Sequence, residues 1–68
     1  MIPAEKMGAA IRATRAILDM NQGEFAKLVG LSRPTIARLE ENPLKSKAHN
    51  YLRVQNIVQQ TLDDLTKN

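Results

Sequence analysis

Met7, Ile11, Thr14 and Leu18, flanked by Ala10 and Ile17, recur at the i, i+4, i+7 spacing of a helix with one buried stripe. Pro3 is compatible with a first helical turn, so the spacing predicts a helix from about Ala4 to Leu18. The next start signal is a capping box: Asn21 can accept from the backbone N–H of residue 24 while Glu24 reaches back to the N–H of Asn21. Phe25, Ala26 and Val29 then form the inner face of a helix of about two turns. Gly30 closes it, since a residue just past a helix end usually takes φ > 0 and glycine does so without a Cβ clash.

Ser32 is a second N-cap, and Leu31 before it is placed to clasp Ile36 in a hydrophobic staple. Pro34 falls in the first turn, where a missing N–H leaves no intrahelical bond unmade, so the proline opens this helix. It runs to about Glu41 and stops at "NP", because the residue before a proline is pushed out of the α region. After the basic loop "PLKSK", residues 48–65 contain no glycine or proline. Tyr51, Val54, Ile57, Val58, Thr61, Leu62 and Leu65 can share one broad face of a single long helix. The alternative is a break at Thr61, which would cap a last short turn carrying Asp63 and Asp64. Without repeats or strand-like alternation, the pattern is all-α.

Composition narrows the class. A chain of 68 residues is one domain at the small end of what folds unaided. With no cysteine, stability rests on helix packing, to which a second subunit can add, and a reducing compartment fits. No run approaches the roughly 20 apolar residues of a membrane span and the start lacks a leader pattern, so the expected location is cytoplasmic, with no membrane partner. The formal net charge of +3 permits a polyanionic partner without requiring one. Its distribution says more: Arg12, Arg15, Lys27, Arg33, Arg38, Lys45, Lys47 and Arg53 precede the acidic Asp63 and Asp64, which suggests a basic working surface and another task for the C-terminal segment.

At about 100° per residue, Ile36 and Leu39 point one way from the third helix while Pro34, Ala37, Arg38 and Glu41 point the other, with Arg33 at its open N-terminal end. A mixed-charge outer face is ordinary for a surface helix. The Gly30-Leu31-Ser32 connection is not, because two short helices joined so tightly must cross steeply, as in a helix-turn-helix.

The segment "NQGEFAKLVGLSRPTIARLEEN", with "IRATRAIL" before it, resembles the helix-turn-helix of the Cro and cI repressor family, also called XRE-like. Asn21 and Gln22 open helix two, Phe25 and Ala26 follow, Gly30 marks the turn, and Ile36, Leu39 and Glu40 stand in helix three as in the family pattern. The resemblance covers about Met7 to Asn42 and implies a compact four- to five-helix fold of the lambda-repressor kind, its DNA-binding motif formed by helices two and three. It implies phosphate contacts from Asn21 and Gln22, and from Lys45 and Lys47 in the following loop. Base reading falls to Arg33, Pro34 and Arg38, flanked by Ser32 and Thr35. Pro34 departs from the pattern: it cannot donate, so apolar contact with a thymine methyl is expected there. Arg15 and Glu40 match positions that form a structural ion pair in related repressors. The family's fourth helix usually ends in a glycine turn before a fifth, whereas this chain has "VQQTLDD".

One such domain touches one half-site, so the resemblance implies a homodimer on double-stranded DNA with a palindromic operator. Val54, Ile57, Val58, Leu62 and Leu65 exceed what one helix should hide against three short ones, and residues 48–66 are expected to serve both the core and a dimer interface. An enzyme is not expected. His49 lacks a Ser, Cys or ligand partner at useful spacing, Asp63 and Asp64 point to different sides of a helix, and Gly8 and Gly23 are isolated. No cofactor, metal or small-molecule ligand is implied. The expected function is an autoregulatory, Cro-like or anti-CRISPR-associated repressor. The alternatives are an antitoxin, or a protein-binding adaptor that keeps the fold without DNA; the latter should lack Arg33 and Arg38 on its outer face.

Overall fold

The first chain reversal needs a left-handed residue, and Asp19 supplies it with φ 56°. An aspartate tolerates this region better than most side chains. The N–H of Asp19 donates to the Ala16 carbonyl at 3.2 Å and that of Met20 to the Arg15 carbonyl at 2.8 Å, satisfying the end of α1 (Ala4–Leu18). The computed structural model describes residues 2–67. Along them follow α2 (Gln22–Val29), α3 (Arg33–Glu41), a single 3-10 turn at Pro43–Lys45, and α4 (Ala48–Thr66). The fold is all-helical and has the lambda-repressor-like form.

Both short helices start and stop through local chemistry. At α2 the capping box is complete: Asn21 Oδ1 accepts from the Glu24 N–H at 2.8 Å and the Asn21 N–H donates to Glu24 Oε1 at 3.0 Å. Gly30, at φ 84°, ends α2. A Cβ there would stand 3.0 Å from Arg53 Nη1, which donates to the Gly30 carbonyl at 3.2 Å, so α4 holds the turn from outside. Ser32 Oγ accepts from the Thr35 N–H at 3.3 Å to start α3.

The core takes Met7, Ile11 and Thr14 from α1, Phe25, Ala26 and Val29 from α2, Ile36 and Leu39 from α3, and Val54 and Val58 from α4. Leu31 packs against this cluster beside the start of α3. Val54 and Val58 have no exposure, which removes them from the five residues assigned to a dimer interface: the single chain already covers them. Ile57 and Leu62 are partly covered and Leu65 is exposed. The described residues form four α-helices, because Thr61 does not cap a new one. Its Oγ1 donates back to the Ile57 carbonyl at 2.9 Å and α4 runs through to Thr66. With neither glycine nor proline between residues 48 and 66, nothing interrupts the ladder.

Two buried features have no hydrophobic signature. Gly8 sits on the covered face of α1, and a Cβ there would overlap the backbone carbonyl of Glu40, so α1 and α3 touch main chain to main chain. Gln55 is buried in α4, its Nε2 donating to Gln59 Oε1 at 3.4 Å.

Candidate nucleic-acid interface

The position of α3 is fixed from behind before its outer face does anything. Arg15 Nε donates to Glu40 Oε2 at 2.8 Å and Arg15 Nη2 to Glu40 Oε1 at 3.1 Å, a two-pronged pair that ties the end of α1 to the end of α3. The Glu40 side chain is only 4% exposed, and Gln22 Nε2 adds a third bond to Oε1 at 3.3 Å. Glu40 therefore joins α1, α2 and α3 at one carboxylate. Arg15 also donates to the Met20 carbonyl at 3.4 Å, binding the reversal after α1 into the same junction.

The opposite side of α3 is open. Arg33, Pro34, Arg38 and Glu41 are exposed, and Ala37 is half-buried. Among the described residues no carboxylate pairs with Arg33, Arg38, Lys45 or Lys47, since the ion pair found is Arg15 with Glu40. Two concavities flank this face. One, of about 600 Å³, is lined by Arg15, Asn21, Gln22, Gly23 and Arg33 and joins the N-terminal ends of α2 and α3. Backbone N–H groups at such ends attract phosphate oxygens. The other, of about 230 Å³, is lined by Thr35, Arg38, Lys45, Ser46, Lys47 and Asn50.

The residues singled out in the sequence thus fall into two groups around one helix face. Asn21, Gln22 and Arg33 meet at one end, and Arg38, Thr35, Lys45 and Lys47 at the other, with Pro34 exposed on the helix between. Several already have internal partners. Asn21 gives its side-chain oxygen to the cap, leaving its amide N–H groups for an outside acceptor, and one Gln22 N–H is held by Glu40. The hydroxyls of Ser32 and Thr35 bond each other at 2.8 Å. Asn50 was not legible as part of this surface. It lies three residues after Lys47, one helical turn along α4, where i, i+3 spacing carries it to the same side.

No helix among the described residues is long and apolar enough to cross a membrane, and they contain no cluster of three His, Cys, Asp or Glu side chains able to hold a metal. No curated protein and no solved structure matches the chain. A helix-turn-helix family model matches residues 11–49, more than half of the chain, from the middle of α1 across both turns to the start of α4. With its two short helices crossing at Gly30 and an exposed outer face on the second, this chain belongs to the XRE-type helix-turn-helix family of DNA-binding regulators, to which Cro and cI are related.

Proposed function

We propose that the protein is a homodimeric repressor that reads an inverted-repeat operator and controls its own promoter. The observation that carries this reading is the outer face of α3, where Arg33 and Arg38 are exposed and without an acidic partner among the described residues. Each guanidinium can donate two parallel bonds to guanine O6 and N7, at about 1–3 kcal/mol of discrimination per base. Pro34 supplies apolar contact, with Ser32 and Thr35 at the margins of the read segment. Asn21 and Gln22 at one end, and Lys45 and Lys47 at the other, bind phosphates and set the register of α3 in the major groove. Two unpaired arginines on a face flanked by Lys45 and Lys47 favour a polyanion over the alternative of a protein-binding adaptor.

Dimerisation enters because one α3 covers one half-site, and a single half-site discriminates poorly against a genome of competitors. A twofold pair places two copies of α3 in successive major grooves, about 34 Å apart. The test is selection from a random duplex pool by the purified protein at near-physiological salt. The expected product is an inverted repeat with half-site centres one helical turn apart, present upstream of the protein's own coding sequence. Retention of every sequence alike, vanishing as salt rises, would mean that the positive charge attracts DNA without reading it.

A further inference from the structure

Two of the three glycines lack a side chain for reasons internal to the fold. Gly30 takes φ 84°, and Gly8 lies too close to the Glu40 main chain for a Cβ. Gly23 has neither reason. It is the second residue of α2, its φ is outside the left-handed region, and a Cβ there would meet only Asn21 Oδ1 at 3.4 Å and Arg33 Cδ at 4.0 Å, which is ordinary contact. Alanine is the better helix former, so folding alone favours a methyl at this position.

The reason lies outside the chain. Gly23 lines the concavity of about 600 Å³ together with Arg15, Asn21, Gln22 and Arg33, so two guanidinium groups border the one residue of α2 that has no side chain, and no acidic residue lines the space. We propose that glycine stands at position 23 so that a phosphodiester of the operator backbone can lie directly against the first turn of α2, between Arg15 and Arg33, and that Arg15 serves the DNA as well as the fold. The proposal deepens the operator-reading function argued above and rests on it. Close approach of a backbone to a ligand is one of the uses for which only glycine suffices. A methyl at residue 23 would touch the stem of Arg33 and occupy the space through which a phosphate oxygen reaches both arginines.

Arg15 has donors for both tasks. A guanidinium carries five N–H groups, of which three have acceptors here: Nε and Nη2 donate to Glu40, and Nη1 to the Met20 carbonyl. That leaves two on a side chain that is 19% exposed and borders the concavity. Glu40, only 4% exposed, is taken up by Arg15 and Gln22 and does not border it. The ion pair therefore holds the guanidinium by one edge and leaves the rest of it to an outside acceptor.

The experiment titrates wild type and variants with the operator recovered by selection, one phosphate at a time replaced by an uncharged methylphosphonate. Wild type should lose about tenfold in affinity at one phosphate of each half-site, the scale of a hydrogen bond to a charged group. Gly23→Ala should melt at or above wild type, bind the unmodified operator about tenfold more weakly, and be indifferent to the replacement at that phosphate alone. Arg15→Met combined with Glu40→Gln removes the ion pair without stranding a charge and leaves Gln22 an amide oxygen to donate to. This double variant should also be indifferent at the same phosphate and keep the wild-type losses elsewhere. Wild-type affinity in Gly23→Ala, or a lower melting point, would overturn the close approach. A wild-type loss at that phosphate in the double variant would overturn the DNA role of Arg15. Inorganic phosphate that raises the melting point of wild type but not of Gly23→Ala would make the concavity a site for a free anion and overturn its assignment to the duplex. An operator recovered by selection on which Gly23→Ala behaves as wild type defeats this inference alone; failure to recover any operator defeats the operator reading and this inference together.

Discussion

On the inner side of α3, Ile36 and Leu39 have no exposure and the Glu40 carboxylate accepts from both Arg15 and Gln22. On its outer side, Arg33 and Arg38 are exposed and make no side-chain hydrogen bond among the described residues. One helix of nine residues thus carries a face whose every group is answered within the chain and a face that is not. The inner residues are explained by folding alone, because apolar area leaves water and each buried polar group finds a partner. Arginine on the outer side gains nothing from folding, and the proposed function assigns it to a partner outside the chain. Substitutions on the inner side should therefore act on stability, and substitutions on the outer side on binding.

The largest effect should come from the inner side. Glu40→Ala leaves Arg15, whose side chain is 19% exposed, without its carboxylate, and removes the acceptor of Gln22. Breaking such a pair costs roughly 3–5 kcal/mol. A domain of this length has about 3–10 kcal/mol in total. Chemical denaturation should show most of the stability gone, and loss of DNA binding without loss of stability would move Glu40 to the outer class. Gly8→Ala should follow at about 3 kcal/mol, near the top of the usual overpacking range, since the added methyl meets the Glu40 main chain and not a side chain able to rotate away. A midpoint within error of wild type would mean that α1 can shift along α3 freely. Neither change alters a group on the outer face.

The legibility of the molecule follows the same division. Element boundaries could be read because they are set by local groups: Asn21 with Glu24, Ser32 with Thr35, and glycine at position 30 each act within a few residues of themselves. The split of α4 between core and surface could not. Val54, Ile57, Val58, Leu62 and Leu65 look alike as a stripe, and only the placement of the other helices decides that the two valines are fully covered and Leu65 is left exposed. Gly8 and Gln55 were illegible for the opposite reason. One has no side chain and the other a polar one, so neither adds to a hydrophobic period although both are buried. The outer face of α3 was readable as exposed and basic. The notch that gathers Arg38, Lys45, Lys47 and Asn50 was not, because the Pro43–Lys45 turn that folds the loop back carries no strong signal beyond its proline.

The smallest effects should separate the outer residues from one another. Arg38→Ala removes two directed donors from the middle of the exposed face without disturbing Ile36 or Leu39, so thermal unfolding should not move. In competition titrations against single-base operator variants, discrimination at one base pair should fall by about 1–3 kcal/mol and stay intact elsewhere. Lys45→Ala takes a charge from the adjoining notch, where a contact with phosphate carries no sequence information. Affinity should fall on every duplex alike, and the slope of log affinity against log salt should flatten by about 0.9, the counterions released by one phosphate contact. The two variants differ in kind even where their losses on the cognate site are equal. Equal loss on all sequences for Arg38→Ala would make it a second phosphate contact, and the reading of bases would then rest on Arg33 and Pro34 at the other end of the helix.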